Sequence, residues 1–244
     1  MSWCDKLSST PAVGFRLTPH FTETGVILQS LQPILNEMHD DERATFSVES
    51  IESFEVTFNT QTGYRYTISP FGASVTFNHR LRAQATSGGP PVMELLSSPA
   101  PYTKLLDETI RRLVNVMGLL SHSKDRLIRR IGIVSMTNVD FEDAPPGIQD
   151  LIHKIGLPFG GRLEEVNGQF SSCLNEDDNV NDRCVYNLVK PSDESKLTTI
   201  NLDWQRRYKG PVGIQSSRVL SLLNVARDEA LDHFERVAEG GLDD

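Results

Sequence analysis

Residues 126–141, RLIRRIGIVSMTNVDF, form the longest strand pattern in the chain and decide its fold. Apolar side chains occur at both parities of this stretch, with Ile131 and Ile133 on one parity and Val134 and Met136 on the other. A strand that is apolar on both faces is usually central in its sheet. We therefore expect this strand to lie in the middle of a sheet and to organise the elements around it.

Composition limits the classes of protein to consider. The 244 residues are enough for one large domain or two closely packed halves with a substantial core. The formal net charge is -9, without an acidic tail or a basic arm, which disfavours a non-specific nucleic-acid or membrane-surface binder. No segment resembles a signal peptide, and no run approaches the roughly 18 apolar residues of a membrane span. The sequence therefore predicts a cytoplasmic protein that does not contact membranes.

The predicted elements fall into two similar series, each with the order strand, helix, three strands, helix. The first series comprises strand 11–18, a helix from Thr24 to Met38, strands 51–58, 64–69 and 73–77, and an amphipathic helix 102–120. The second comprises strand 126–141, helix 148–155, strands 162–174, 183–189 and 197–204, and helix 216–238.

This order predicts an α+β fold of two β-α-β-β-β-α halves, residues 1–122 and 123–244, with a mainly antiparallel sheet and helices on one face. Residues 85–101, rich in Ser, Gly and Pro, are predicted to be an exposed connection between the halves. A duplicated saddle of the TATA-binding-protein-like kind satisfies the order by analogy of fold. A single sheet wrapped around the helix at residues 102–120 is the alternative.

The segment YTKLLDETIRRLVNVMGLL, followed by residues 126–141, resembles the core of a sporadically distributed bacterial family of uncharacterised α+β proteins of about this length. In that family a helix leads into an Arg-rich strand, whose motif corresponds here to Arg130, Gly132, Asn138 and Asp140. The resemblance implies architecture rather than chemistry. The patchy distribution of the family implies an accessory role, for example in antiviral defence.

The central strand carries the first candidate binding residues. Arg129 and Arg130 fall on opposite faces, while Asn138 and Asp140 share the parity of Arg130. An arginine that faces an acid on the same strand could anchor a phosphate or the carboxylate of a partner. The alternative is an internal pair that closes the end of the sheet.

Residues 202–209, LDWQRRYK, mix aromatic and basic side chains at a strand end. Trp204, Arg206 and Arg207 are therefore candidates for partner binding, and the stretch could stack on and grip a single strand of nucleic acid. An amphipathic edge strand protected by charge is the alternative. A nucleic-acid-binding saddle would use the basic residues of one sheet face, namely Arg65, Arg80, Arg82, Arg206, Arg207 and Lys209.

Two stretches of the sequence resemble metal-binding motifs. Asp193–Lys196, with Asp177, Asp178 and Asp182 upstream, resembles the arrangement in metal-dependent nucleases, where carboxylates hold Mg²⁺ and a lysine polarises water. A solvated loop is the alternative reading of that segment. Residues 176–182 begin like a calcium loop but lack its glycine and its bidentate glutamate, which favours a polar hairpin loop.

Other chemical motifs are missing from the sequence. The six histidines are scattered singly, and no nucleotide-binding loop or hydrolase elbow occurs. The three cysteines, Cys4, Cys173 and Cys184, have no CxxC spacing and are expected to be free thiols. We therefore expect no catalytic residue, metal or cofactor.

The sequence thus predicts a non-enzymatic interaction protein, an accessory subunit or adaptor that binds another protein. A nucleic-acid-binding protein that uses an open sheet face is the second hypothesis, and a metal-dependent nuclease is the third.

Overall fold

The computed structural model describes residues 2–18, 36, 47–52, 55–60, 62–69, 71–86, 89–95, 97, 99–119, 127–159, 163–192, 196–214 and 216–240. In chain order the elements are α1 (Trp3–Lys6), β1 (Thr10–Leu17), β2 (Ser47–Glu52), β3 (Glu55–Asn59), β4 (Tyr64–Ser69), β5 (Gly72–Phe77), β6 (Leu81–Thr86), β7 (Gly89–Leu95), α2 (Tyr102–Leu119), β8 (Leu127–Val139), α3 (Pro146–Gly156), β9 (Val166–Glu176), β10 (Val180–Lys190), β11 (Thr198–Gly213) and α4 (Ser216–Glu239). Short 3-10 turns follow β8 at Phe141–Asp143 and α3 at Leu157–Phe159. The helix predicted from Thr24 to Met38 lies, apart from Asn36, outside the described residues.

Nine of the described strands form one antiparallel sheet in the order β2-β3-β4-β5-β1-β8-β11-β10-β9. The strand predicted at residues 126–141 is β8, and it is hydrogen-bonded to β1 on one side and to β11 on the other. Its predicted position in the interior of the sheet is therefore confirmed, as is the α+β class.

The two faces of β8 differ in a way that the apolar pattern did not predict. Ile131 and Ile133 are fully buried, whereas Val134 and Met136 on the other face are half-buried. The same alternation runs along β1, where Val13 is buried and Gly14 is not. Among the described residues, one face of the sheet is therefore covered and the other is open, and the described helices pack on the covered side.

The first half contains more strands than its sequence indicated. The strand predicted at residues 51–58 is in fact a hairpin of β2 and β3, which pair at Glu52 and Glu55. The connecting residues are Ser and Phe rather than the Gly or Asn typical of such turns, so the sequence did not mark the turn.

Residues 85–101, predicted to be an exposed connection between the halves, contain secondary structure. They include the end of β6 and the whole of β7, which pair as a separate two-stranded sheet. Pro90 and Pro91 lie within β7. The outer side of a two-stranded ribbon needs no ladder hydrogen bond, which accommodates one of these prolines, and both lie where the register shifts between Gln84 and Thr86.

Helices α2 and α4 cover the sheet with the faces that their periodicity predicted. The apolar stripe of α2 is buried, and so is most of that of α4; the buried members are Leu106, Ile110, Leu113, Met117, Leu223, Ala230, Phe234 and Val237. The helical spacing of α4 also places Leu220 on the inward side, but its side chain is 42% exposed, because its neighbour Val219 occupies the inward position. Within the described residues no helix combines the length and the apolar character needed to cross a bilayer.

Helix α1 joins the two long helices and was not predicted. The carboxylate Oδ1 of Asp5 accepts a hydrogen bond of 2.9 Å from the backbone N of Thr103, at the start of α2. Trp3 donates from Nε1 to the carbonyl of Phe234 in α4 at 2.8 Å, and its side chain is buried. The N-terminal turn therefore fixes α2 and α4 beside each other.

Candidate functional site

The open face of the sheet carries a row of arginines across three neighbouring strands. Arg16 of β1 lies opposite Arg130 of β8, and Arg130 lies opposite Arg207 of β11. Neighbouring strands are about 4.8 Å apart, so the row spans about 10 Å. Like charges directly opposite each other destabilise a sheet. We call Arg16, Arg130 and Arg207 the arginine row; an anion bound to it would remove this repulsion.

Arg130 and a fourth arginine are held in place by a polar network. Arg130 Nη1 and Arg183 Nε each donate to Gln205 Oε1 at 3.1 Å. The Nε2 group of Gln205 donates in turn to Asp203. Burial raises the pKa of Asp203, while burial and then the charge of Arg16 lower the pKa of Arg130. The network therefore fixes the middle of the row but leaves it strongly positive.

The two ends of the arginine row are available to a ligand. Arg16 and Arg207 are both exposed. Within the part of the chain that the structure describes, neither makes a side-chain hydrogen bond or an ion pair. Two exposed guanidinium groups thus flank a third that is partly buried.

A strip without bulky side chains lies next to the arginine row. Gly14 of β1 is opposite Gly132 of β8, and we call this pair the glycine floor. A concavity of about 1040 Å³ opens over it, with Arg16, Arg130 and Asp203 among its lining residues. A Cβ atom at Gly14 would lie 3.1 Å from Ser74 Cβ, which is a tight contact, so packing favours glycine at that position. A Cβ atom at Gly132 would lie 3.4 Å from Asp203 Oδ1, which is an ordinary contact, so packing does not require glycine at Gly132. Glycine inside a strand often marks the close approach of a ligand or of another backbone.

The predicted residues of β8 do not form one site. Arg129 is exposed at a register shift, because Arg16 pairs with Arg130 whereas Leu17 pairs with Ile128. The alternation that predicted opposite faces for Arg129 and Arg130 is therefore interrupted at this point, since Ile128 and Ile131 are both buried. Asn138 shares the face of Arg130 but lies eight residues along the strand, about 26 Å away, where it accepts a hydrogen bond of 2.8 Å from Thr199. Asp140 lies beyond the end of the strand. The acid near Arg130 is instead Asp203, which belongs to another strand.

Residues 202–209 do not form the predicted stacking surface. Trp204 is 1% exposed on the covered face, and the guanidinium of Arg206 lies over its ring at 5.4 Å from the centroid. Arg206 also pairs with Asp182 through Nη2 and Oδ2 at 2.6 Å. Successive side chains of a strand point to opposite faces, so Arg207 alone among these three candidates reaches the open face.

The basic residues proposed for a nucleic-acid-binding saddle are also dispersed. Lys209 pairs with Glu176 at 2.9 Å, beside the turn between β9 and β10. Arg80 precedes β6 and Arg82 belongs to it, so both lie at the separate hairpin. Arg65 is exposed on β4, three strands from β8. The predicted set therefore does not share one sheet face.

The two stretches that resemble metal-binding motifs do not form a metal site in the described residues. Asp177 caps the β9–β10 turn by accepting from the backbone N of Val180 at 2.9 Å, which agrees with the polar hairpin reading. Lys196 follows the other end of β10, about 34 Å away along the strand, and Glu194 lies outside the described residues. Where the chain is described, no group of three or more His, Cys, Asp or Glu side chains is placed to bind a metal.

The cysteines are free thiols, as predicted. Cys4 and Cys184 are buried, and burial raises the pKa of each to about 12. Cys173 is exposed on β9. The two buried thiols therefore pack as small apolar groups.

No family model matches the chain, and neither a curated protein nor a solved structure gives a match. Any function must therefore follow from the residues of this chain.

Proposed function

We propose that this chain is a non-enzymatic interaction protein that binds a protein partner on the open face of its sheet. The observation that carries the proposal is the arginine row beside the glycine floor, in the interior of a sheet whose other face is covered by helices. The row opposes like charges across neighbouring strands, an arrangement that folding alone does not favour.

The groups around the row suit recognition by hydrogen bonds and charge. The neighbouring strands present amide and hydroxyl side chains on the same face, including Asn201, Asn187 and Ser74. A typical protein–protein interface contains about 10 direct hydrogen bonds, and these side chains can supply donors and acceptors for some of them. A protein surface of complementary shape can use both the concavity and this polar surround.

A nucleic acid is the second candidate, because arginine side chains also bind phosphate. Three features favour a protein. The chain has a formal net charge of -9, Trp204 is buried, and the row spans only about 10 Å, whereas stable duplex binding typically uses about 6–10 phosphate contacts.

We further propose that the sheet is a duplicated saddle of the TATA-binding-protein-like kind. The strand order supports this, since β1 is followed outward by β5, β4 and β3, and β8 by β11, β10 and β9, and the two sets meet at the β1–β8 pair. Strand β2 is an addition to the first set. Membership of the sporadically distributed bacterial family, with an accessory role such as antiviral defence, is part of the same proposal.

A pair of matched substitutions tests the proposed binding face. Val134 lies on the open face and lines the concavity, whereas Val225 is 45% exposed on α4. We expect affinity capture from a lysate of the source cells to yield a protein that is retained by the wild type and by Val225→Glu but lost by Val134→Glu. A glutamate at 134 stands opposite Asp203 and adds negative charge to the face. Loss by Val225→Glu with retention by Val134→Glu would instead place the binding surface on the helices.

A further inference from the structure

We propose that the partner contacts this protein through an acidic helix, whose carboxylates bind the arginine row of Arg16, Arg130 and Arg207. This inference rests on the proposed function, because it names the chemistry of the partner for the same face.

Charge complementarity supports the acidic character of the partner segment. The row contributes three guanidinium groups, and Arg183 lies beside it through their shared contact with Gln205. Within the described residues, the acids that line the concavity are Asp203 and Glu55. Carboxylates that accept from Arg16 and Arg207 would form charge-assisted hydrogen bonds and would relieve the repulsion within the row.

The spacing of the row supports a helix rather than an extended segment. Three strands at about 4.8 Å spacing place the first and third arginines about 10 Å apart. Side chains at i, i+4 and i+7 of an α-helix lie on one face and span about 10.5 Å. In an extended strand, side chains on one face repeat every roughly 6.6 Å, which fits the row less well. A helix that crosses the strands therefore presents one carboxylate to each arginine.

The glycine floor gives such a helix room to approach. Gly14 and Gly132 leave the backbone uncovered beside the row, and the concavity over them continues to Ser74 and Thr76 of β5. A helix placed across the strands can therefore lie close to the sheet while its acidic side chains reach the row.

The inference is tested with a fluorescein-labelled, alanine-rich helical peptide that carries glutamates at i, i+4 and i+7. The comparison probes are a peptide of the same composition with the glutamates on separate faces and a single-stranded oligonucleotide of the same net charge. Fluorescence anisotropy is measured for the wild type, for the double variant Arg16→Gln/Arg207→Gln, and for the control Arg218→Gln/Arg236→Gln. The control removes the same charge from two exposed positions on α4.

We expect the wild type to bind the first peptide most tightly, with an affinity that falls as salt is added. The Arg16→Gln/Arg207→Gln variant should lose about tenfold in affinity, and the control less than about twofold. Gly132→Ala should also weaken binding while its Tm stays unchanged or rises, because alanine is more stable than glycine in a strand. Gly132→Ala therefore distinguishes weaker binding caused by a blocked surface from weaker binding caused by loss of folding.

Three outcomes would overturn the inference: no binding of the peptide by the wild type, equal loss in the control, or equal binding of the peptide with dispersed glutamates. Preferential binding of the oligonucleotide would show that the ligand of the arginine row is a nucleic acid and not an acidic helix. If the wild type does not bind the peptide but Val134→Glu still loses the captured protein, the open face remains the proposed binding surface and the proposal of an acidic helix is wrong. If Val134→Glu leaves capture unchanged, the proposed function itself fails.

Discussion

Replacement of Asp182 by Ala is expected to lower the free energy of unfolding by about 3 kcal/mol, the largest effect of a single substitution that we predict. The side chain of Asp182 is 4% exposed and accepts two hydrogen bonds from Arg206, from Nε at 2.8 Å and from Nη2 at 2.6 Å. These contacts raise the pKa of Arg206. Without Asp182, a guanidinium that is only 12% exposed would keep one acidic partner, Glu229, which is itself 44% exposed.

The measurement is chemical denaturation at neutral pH with two comparison variants. Asp178→Ala changes an exposed acid in the neighbouring turn and should alter the free energy by less than about 0.5 kcal/mol. The double variant Asp182→Ala/Arg206→Met removes both charges and should recover much of the loss, because the unpaired buried charge is then absent. If the double variant is as unstable as Asp182→Ala alone, the lost stability comes mainly from the packing of Arg206 over Trp204 and not from the unpaired charge of Arg206.

Acidification from pH 8 to pH 5 is expected to remove about 2 kcal/mol of stability through His233 alone. His233 is 3% exposed, and its Nε2 lies 2.9 Å from the hydroxyl of Tyr186, which in turn lies 3.0 Å from the hydroxyl of Ser172. Burial, and then the charge of Arg236, lower the pKa of His233 to about 4, against the opposing effect of Asp232. The unfolded chain takes up a proton near pH 6.5, whereas the folded chain resists it until about pH 4. This stability is therefore complete above pH 6.5 and is lost as the pH falls toward 4.

The variant His233→Gln isolates this contribution, because glutamine can still hydrogen-bond to Tyr186 and does not titrate. Its free energy of unfolding should fall between pH 8 and pH 5 by about 2 kcal/mol less than that of the wild type. His153→Gln, which changes an exposed histidine of α3, should retain the pH dependence of the wild type. The same pH dependence in the wild type and in His233→Gln would refute the assignment.

Elements with a strong local pattern could be predicted from the sequence. The long apolar run in residues 126–141 and the helical spacing of Leu106, Ile110 and Leu113 locate β8 and α2 without any knowledge of their neighbours. Helix α1 has only four residues and therefore no period to detect, although it contacts both long helices, α4 through Trp3 and α2 through Asp5.

The arginine row could not be predicted in the same way. Its members lie on three strands that are far apart in the chain, and only the pairing register brings Arg16, Arg130 and Arg207 together. The wrong placement of Arg206 among the partner-binding candidates was avoidable, however. Arg206 shares the parity of Leu202 and Trp204, so the apolar side of β11 already indicated that Arg206 would face the covered side. For Gln205 and Asp203, no local pattern indicated a contact with Arg130.

The most direct test of the binding face is arginine-selective chemical labelling of the protein, alone and in its captured complex, with each site quantified by peptide mass spectrometry. Arg16 and Arg207 are exposed on the open face, whereas Arg218 and Arg236 are exposed on α4. We predict that the partner strongly protects Arg16 and Arg207 and leaves the labelling of Arg218 and Arg236 unchanged. Equal labelling of Arg16 and Arg207 with and without the partner would contradict the proposal that the open face of the sheet is the binding surface.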